Sequence, residues 1–111
     1  MATLFIDPGS LNQGLLLEKS SMLAGEAGEL EESWSEIANL WAQIEPVGPG
    51  VRLLGEQQLA ELSHRITLRH RADISTSMRF RKGARIFQIL TLYDPDETGR
   101  YLVARVSEEG R

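Results

Sequence analysis

Cysteine is absent from this chain of 111 residues. Without thiols, the protein has no disulfide framework, no thiolate metal site and no cysteine nucleophile. A domain of this size buries only about two thirds of the surface that its unfolded chain exposes, so its stability rests on one modest core and would benefit from oligomerisation. The missing thiols also fit a reducing compartment, and we expect synthesis in the cytoplasm.

Long apolar runs are missing as well. No segment approaches the ~20 consecutive apolar residues that span a bilayer, and the N-terminus lacks the basic start and apolar stretch of a secretory signal. We therefore expect no membrane partner. The net charge of -4 argues against a general nucleic-acid-binding protein, because such proteins neutralise phosphates with a basic surface.

Residues for catalysis or metal binding are scarce. The two histidines, His64 and His70, would stand about 20 Å apart on one strand, too far to share a metal ion. Asp94, Asp96 and Glu97 lack the spaced ligands of a calcium loop and are better explained as a turn. Neither a Gly-x-Ser-x-Gly elbow nor a Gly-Lys-Ser/Thr phosphate loop occurs. We expect no catalytic, metal or cofactor site, and we expect His70 to be partly buried and His64 to lie at an edge.

Charge is distributed unevenly along the chain. Residues 1–64 contain ten acidic and two basic side chains, and residues 65–111 contain six acidic and ten basic ones. Six glutamates and no Lys or Arg lie in residues 25–45, whereas seven basic residues lie in residues 65–85. Opposite patches on one subunit suit a head-to-tail ring, in which the basic face of one copy meets the acidic face of the next. The alternative, which carries equal weight, is that the acidic and basic patches do not meet and are each exposed to solvent.

The last third of the chain predicts four consecutive strands. Over Ser63–Arg71, apolar and basic residues alternate with the period of two that is typical of a strand with one buried face. Further strands are predicted at Met78–Arg81, Ala84–Tyr93 and Tyr101–Ser107. In the last of these, alternation predicts one face formed by even-numbered residues and one by odd-numbered residues: Leu102, Ala104 and Val106 against Tyr101, Val103 and Arg105.

Two turn signals separate these strands. Lys82-Gly83 predicts a tight hairpin in which Gly83 supplies a positive φ. Asp94–Gly99 predicts a turn in which Pro95 fixes φ, the aspartates bond the backbone and Gly99 adopts the left-handed region.

The first half of the chain is less regular. Residues 1–14 predict a flexible arm, with turn signals on either side of the apolar residues 4–6. Leu15–Met22 predicts the first strand, and Leu23–Leu30 predicts an exposed loop or a long hairpin connection. Gly55–Leu62 predicts a short helix or a loop.

Residues 30–46 can be interpreted in two ways. Five apolar residues recur there at alternating steps of four and three: Leu30, Trp34, Ile37, Trp41 and Ile44. These steps form the apolar stripe of an amphipathic helix, and the pattern alone favours that structure. As a strand, the segment would place Leu40, Ala42 and Ile44 on one side and Trp41 and Gln43 on the other.

Several pieces of the chain occur in an order and spacing that resemble a known family. They are ESWSEIANLWAQIEP (residues 32–46), LSHRITLRHR (62–71), IxxxMRF (74–80), RIFQIL (85–90) and RYLVARVSEE (100–109). This order resembles the head-tail joining proteins of long-tailed bacteriophages, also called head-closure or stopper proteins, with relatives in prophages and gene transfer agents. The resemblance covers residues 15–109, and the chain departs from the family mainly at residues 1–14 and 47–60.

The resemblance implies a fold. It implies that residues 30–46 are an extended, bulged strand, and we predict a strand there. The chain as a whole is then expected to be all-β, a small barrel or sandwich of about six strands with long loops. We expect a flexible N-terminal arm over residues 1–14 and a single β domain over residues 15–111.

The resemblance also implies a function. Members of the family are expected to form a homo-oligomeric ring between the portal or adaptor protein and the tail. The ring would close the head around packaged double-stranded DNA, with long loops that plug or line the channel. It would also provide the surface on which a tail terminator or tail tube protein docks. The protein would then lie at the head-tail interface of a virion or phage-like particle, after synthesis in the bacterial cytoplasm.

Ring or partner contacts are expected from two sets of opposite charge and one tryptophan. The acidic set is Glu29, Glu31, Glu32 and Glu36, and the basic set is Arg69, Arg71, Arg79, Arg81 and Arg85. Trp34 lies among glutamates and serines and is expected to anchor an interface. Trp41 lies between Leu40 and Ala42 and is expected in the core.

Two alternatives belong to other functional classes. A small barrel that binds single-stranded nucleic acid would track phosphates with the basic residues 65–85 and stack bases on Phe80, Phe87 and Tyr93. A small β-barrel enzyme or enzyme subunit would need a partner to complete its active site.

Overall fold

Alternating apolar and polar residues build an all-β fold. The computed structural model describes residues 6–54 and 59–110. Its strands are β1 Gln13–Ala24, β2 Leu30–Pro46, β3 Arg52–Leu54, β4 Leu59–Glu61, β5 His64–Arg69, β6 Arg79–Lys82, β7 Arg85–Tyr93 and β8 Tyr101–Glu108. Six of them close into an antiparallel barrel in the order β1-β2-β5-β8-β7-β6, and β3 pairs with β4 in a separate hairpin. The prediction of a small barrel of about six strands is confirmed.

The last third of the chain follows its predicted pattern. Each of β5 to β8 begins and ends within two residues of the predicted strand. Gly83 joins β6 to β7 with a φ of 60°, as the predicted tight turn requires. Both faces of β8 are buried, however, including the outer residues Tyr101 and Val103. Val103 shares a cleft on the outside of the barrel with Ile6 and Pro95.

The acidic turn between β7 and β8 is held by its own side chains. Asp94 accepts a hydrogen bond from the Gly99 backbone N–H at 2.7 Å, and Asp96 accepts from the Thr98 hydroxyl at 2.6 Å. Gly99 has a φ of 78°, and Glu97 also adopts a positive φ. The predicted turn at Asp94–Gly99 is confirmed.

Residues 30–46 form a single strand, β2, as predicted from the resemblance. Ala42 is buried, and Leu40 and Ile44 pack against the core from the same side. Leu17 pairs with Ala38 and the next residue, Glu18, pairs with Glu36. Ile37 is therefore an extra residue, which is the expected bulge. The helical spacing of apolar residues in this segment does not describe a buried face, since Leu30 and Trp41 are largely exposed.

One core fills the barrel. Phe80 and Phe87 lie opposite each other on β6 and β7 and are fully buried. Around them pack inward-facing aliphatic residues, from β7 itself and from the strands β1, β2, β5 and β8: Leu15, Leu17, Ala42, Ile66, Leu68, Ile89, Leu102, Ala104 and Val106. These residues follow the alternation expected of strands that each bury one face.

A long hairpin projects from the barrel. β1 pairs with β6 only at Leu16–Glu18, and β2 pairs with β5 only at Ala42–Pro46. Residues 19–36 therefore pair only between β1 and β2, with no third strand beside them, and we refer to them as the long hairpin. The longest dimension of the molecule is 55 Å, against 30 and 27 Å for the other two. Of the exposed loop or long hairpin connection predicted at Leu23–Leu30, the hairpin connection is confirmed, with residues 25–29 at its tip.

The other end of β2 leads into the β3–β4 hairpin. Of the predicted short helix or loop at Gly55–Leu62, residues 55–58 lie outside the described residues, and Leu59–Glu61 is a strand instead. Of the predicted arm, residues 1–14, the first five also lie outside the described residues. Its described part contains a 3-10 turn at Pro8–Ser10, capped by the Asp7 side chain, before β1 begins at Gln13.

Truncation of the central aromatic residue tests this core. Phe87→Ala removes a fully buried ring and leaves a cavity, so we expect the free energy of unfolding to fall by about 3–5 kcal/mol. Leu30→Ala is the control, because the Leu30 side chain is 69% exposed and its truncation should cost less than about 0.5 kcal/mol. Urea denaturation followed by circular dichroism measures both. Equal losses would contradict the described core.

Candidate interaction surface

A buried ion pair lies at the root of the long hairpin. Arg79 Nε donates to Glu18 Oε1 at 2.7 Å, and the two side chains are only 12% and 7% exposed. The Arg79 guanidinium also stacks on Trp34, 3.9 Å from the ring centroid. Arg81 lies 3.6 Å from the second Glu18 oxygen. This cluster fixes the hairpin to the barrel through contacts within one copy of the chain.

Strand register brings these residues together. Glu18 lies opposite Arg79 in the β1–β6 pair, and Ser20 lies opposite Trp34 in the β1–β2 pair. Glu18 and Ser20 share a face of β1 because they are two residues apart. Trp34 therefore lies on the same face as Glu18 and Arg79, where its ring contacts the Arg79 guanidinium. Trp34 and Arg79, both expected at an interface between copies, contact each other within one copy.

Two further arginines of the basic set are paired inside the chain. Arg71 donates to Asp73 at 2.8 Å, and this hydrogen bond lowers the pKa of the exposed Asp73 carboxyl below its ordinary value. Arg85 donates to Glu108 at 2.9 Å, which raises the pKa of the arginine. Arg69 differs from them: it is exposed and makes no ion pair with any residue that the structure describes.

The acidic set lies along the long hairpin. Glu29, Glu31, Glu32 and Glu36 are all exposed. Glu32 accepts a hydrogen bond from the Ser20 hydroxyl at 2.7 Å, and Glu36 accepts from the Asn39 amide at 3.1 Å. No described arginine or lysine forms an ion pair with any of the four, so their negative charge faces solvent.

Large apolar residues are exposed on the same hairpin. Met22 and Leu23 are each 56% exposed, and Leu30 is 69% exposed. Ala24 lies opposite Leu30 and Met22 lies opposite Glu32, so Met22, Leu30 and Glu32 share one face. The hairpin therefore presents apolar and acidic side chains together.

Trp41 forms a second exposed apolar site, on the wall of the barrel. Its side chain is 65% exposed, so the expectation that it lies in the core is wrong. Alternation on β2 turns Ala42 inward and Trp41 outward. Gly14 lies opposite, and a Cβ at this position would meet the ring at an ordinary contact distance of 3.8 Å.

Clefts border the exposed ring on both sides. One, of about 190 Å³, is lined by Gly14, Leu15, Asn39, Leu40 and Trp41. The other, of about 260 Å³, is lined by Leu40, Trp41, Leu68, Arg69, His70 and Arg71. We call the exposed side chains around this ring, Asn39, Trp41, Arg69 and His70, the Trp41 surface. It combines an aromatic residue with basic ones.

The histidines lie differently from what the sequence predicted. His64 is buried, with its ring edge-on to Phe87 at 5.3 Å, and its Nδ1 lies 2.8 Å from the Ser63 hydroxyl. It shares the inward parity of Ile66 on β5, whereas His70 follows the last residue of β5 and is exposed. Both histidine predictions are therefore wrong. Within residues 6–54 and 59–110, no three His, Asp or Glu side chains come close enough to hold a metal ion.

The predicted base-stacking surface is not present. Phe80 and Phe87 are fully buried in the barrel, so neither can stack on a nucleic-acid base without unfolding the core. Of the three aromatic residues in that alternative, only Tyr93 is exposed, at 42%, and the Arg105 guanidinium lies 5.7 Å from its ring. That interpretation of the aromatic residues is wrong.

The site features that the sequence reasoning missed are the length of the hairpin and the exposure of Trp41. Period-two alternation along β2, with the inward residues Leu40, Ala42 and Ile44, is the signal that places Trp41 on the outer face. The pairing of Trp41 with Gly14 spans two strands and is not visible along the chain.

Comparisons with known proteins give a consistent result. The sequence profile of the phage head completion protein family matches residues 6–109. A chain from the virion of a native gene transfer agent particle is 27% identical, with a TM-score of 0.60, over 88% of this chain and 93% of that one. No curated protein sequence gives a significant match.

A second solved structure shares the fold. Protein SF1141 from Shigella flexneri 2a is 21% identical, with a TM-score of 0.66, over 96% of this chain and 99% of that one. At this identity the likeness concerns the fold alone. In the part of the chain that the structure describes, no helix is long and apolar enough to cross a membrane.

The root of the hairpin can be tested by removing one member of the buried pair. Glu18→Ala leaves the Arg79 charge buried without its partner, so the free energy of unfolding should fall by about 3 kcal/mol. Glu45→Ala is the matched control, because its partner Arg65 is 47% exposed and an exposed pair contributes at most about 1 kcal/mol. Chemical denaturation measures both variants. A loss at Glu18 no larger than that at Glu45 would show that the cluster does not hold the hairpin.

Proposed function

Because this chain belongs to the phage head completion protein family, we propose that it forms a ring between the portal or adaptor protein and the tail. It is a structural, head-related component of the virion, from a family of structural proteins and not of enzymes. The proposed ring closes the DNA-filled head and provides the surface on which a tail terminator or tail tube protein docks. The family match over residues 6–109 is the observation that carries this proposal.

The shape of the subunit supports a position between two different partners. The long hairpin leaves the barrel at one end of β2, and the β3–β4 hairpin follows the other end. A ring of such subunits has two chemically different faces. One face would meet the portal or adaptor, and the other would meet the tail.

The charges support head-to-tail contacts within the ring. The acidic residues of the long hairpin have no ion-pair partner among the described residues, and Arg69 on the barrel wall has none either. A contact between two different patches repeats around a circle when the rotation closes. Opposite charges on those patches fix the register and disfavour pairing of like with like. Arg71, Arg79, Arg81 and Arg85 would add to the positive potential although each has a partner in its own chain.

The net charge suits a channel that DNA traverses. At -4, with a projecting acidic hairpin, the subunit has no general attraction for phosphates. Packaged double-stranded DNA would therefore pass the ring without being bound by its wall.

Deletion of the gene tests the proposed role directly. We expect negative-stain electron microscopy to reveal tailless heads that lose their DNA, beside free and complete tails. Complementation with the wild-type gene should restore filled, tailed particles. Filled heads that carry tails in the deletion strain would contradict both head closure and tail docking.

Charge reversal tests the electrostatic part of the ring. Arg69→Glu should lower the yield of tailed particles about tenfold, because it turns an attractive contact between copies into a repulsive one. Arg52→Glu makes an equal charge change on the exposed β3 strand at the other hairpin and is the control. Self-association of the purified protein should fall in the Arg69 variant and stay unchanged in the Arg52 variant. The thermal stability of both variants should match that of the wild type. Normal assembly of the Arg69 variant would exclude this residue from the ring contact.

A further inference from the structure

We propose that the tip of the long hairpin of one copy docks on the Trp41 surface of the next copy. This inference rests on the proposed ring and specifies the contact that would hold it together. Met22 and Leu30 would pack against Trp41, and Glu32, on the same face of the hairpin, would face Arg69 and the exposed His70. The occupant of the Trp41 surface is therefore a second copy of this chain.

The first argument is the distribution of exposed apolar residues. Of the eight large apolar side chains that are exposed in the described chain, three lie at the hairpin tip and one is Trp41 on the barrel wall. Tryptophan is enriched among the residues that dominate binding energy, especially beside pockets that a partner can fill. Clefts of about 190 and 260 Å³ border the Trp41 ring and are large enough for side chains such as Met22 and Leu30.

The second argument is charge. Arg69 lies on the outer face of β5, beside the larger of these clefts, and has no ion-pair partner among the described residues. The hairpin tip carries the opposite charge on Glu29, Glu31 and Glu32, also without ion-pair partners there. The two surfaces are thus complementary in both polarity and charge.

The third argument is reach, because one copy cannot make this contact with itself. Leu30 and Trp41 lie on the same strand, eleven residues apart, which separates them by about 35 Å at about 3.3 Å per residue. The long axis of 55 Å exceeds the 30 and 27 Å of the other dimensions, so the hairpin can reach past its own barrel to a neighbour beside it. Hairpin tip and Trp41 surface are different patches, so the contact is head-to-tail and can repeat around a ring.

Cysteine cross-linking tests this contact, since the natural chain has no cysteine. We place Ala24→Cys opposite Leu30 on the hairpin and Asn39→Cys beside Trp41, which leaves the proposed anchors intact. Asn39 lies opposite Leu16 on β1, eight residues from Ala24, so the two cysteines stand about 26 Å apart within one copy. A disulfide needs Cα atoms within about 7 Å, so it can form only between copies.

The double-cysteine variant is expected to complement the deletion strain and, after mild oxidation of purified particles, to form a ladder of linked copies on a non-reducing gel. The single-cysteine variants can give dimers at most. Ala24→Cys combined with Val51→Cys, an exposed position near the other hairpin, is the control for random encounter. A ladder no stronger than that control would overturn the proposed contact.

Truncation of the anchor residues adds an independent measurement. In the double-cysteine background, Trp41→Ala and Leu30→Ala should each reduce the cross-linked ladder about tenfold, whereas Leu59→Ala, an equally exposed leucine on β4, should not. Unchanged cross-linking in both anchor variants would overturn the proposal.

The two proposals fail in different ways. Purified head-tail complexes that contain several copies of this chain but give no cross-linked ladder would refute the Trp41 contact and leave the ring intact. Complexes that contain a single copy of this chain, or deletion particles that remain filled and tailed, would refute the ring and the contact together.

Discussion

The position of the long hairpin depends on the contact among Glu18, Arg79 and Trp34. A two-stranded hairpin without further support is marginally stable in water, and residues 19–36 have no third strand beside them. Glu18 is the last residue of β1 that pairs with β6, so the ion pair forms where the hairpin leaves the barrel. A buried pair carries a desolvation cost, and the stacked indole and the nearby Arg81 offset part of it. The cluster thus sets the direction in which the hairpin projects.

The same cluster changes how the charge asymmetry of the chain should be interpreted. Along the sequence, a basic segment follows an acidic one, which suggests two free patches. In the fold, Arg79 and Arg81 meet the single buried glutamate of β1, and Arg71 and Arg85 find acidic neighbours in their own half of the chain. The glutamates of the hairpin stay without ion pairs within the described residues. Folding therefore leaves an acidic projection and a barrel wall on which Arg69 is exposed and has no ion pair with any described residue.

Local pattern predicted the part of the fold in which neighbours in sequence are neighbours in space. The hairpin at Gly83 and the turn at Asp94–Gly99 are specified by residues at fixed local positions. The strands around them begin and end within two residues of their predicted bounds. Trp41, in contrast, has Gly14 as its strand partner, and the ion pair of Arg79 depends on its strand partner Glu18. Such long-range register is not encoded in any short window, which is why the sequence pattern predicts the wrong environment for Trp41 and does not reveal the contact between Trp34 and Arg79. The two histidines were predicted wrongly for a smaller reason. Both share the inward parity of Ile66, but β5 begins at His64 and ends at Arg69, so His64 lies inside the barrel and His70 lies beyond the strand.

Exposed strand edges explain why the hairpin carries so many glutamates. A projecting two-stranded ribbon with exposed Met22, Leu23 and Leu30 could pair edge to edge with another copy and aggregate. Like charges on Glu29, Glu31 and Glu32 oppose that pairing, because two hairpin tips would bring six carboxylates together. The same carboxylates favour a basic partner surface, so one set of residues would both prevent the wrong contact and select the right one. The proposed contact would join different patches on successive copies, so it would close a ring instead of ending at a dimer.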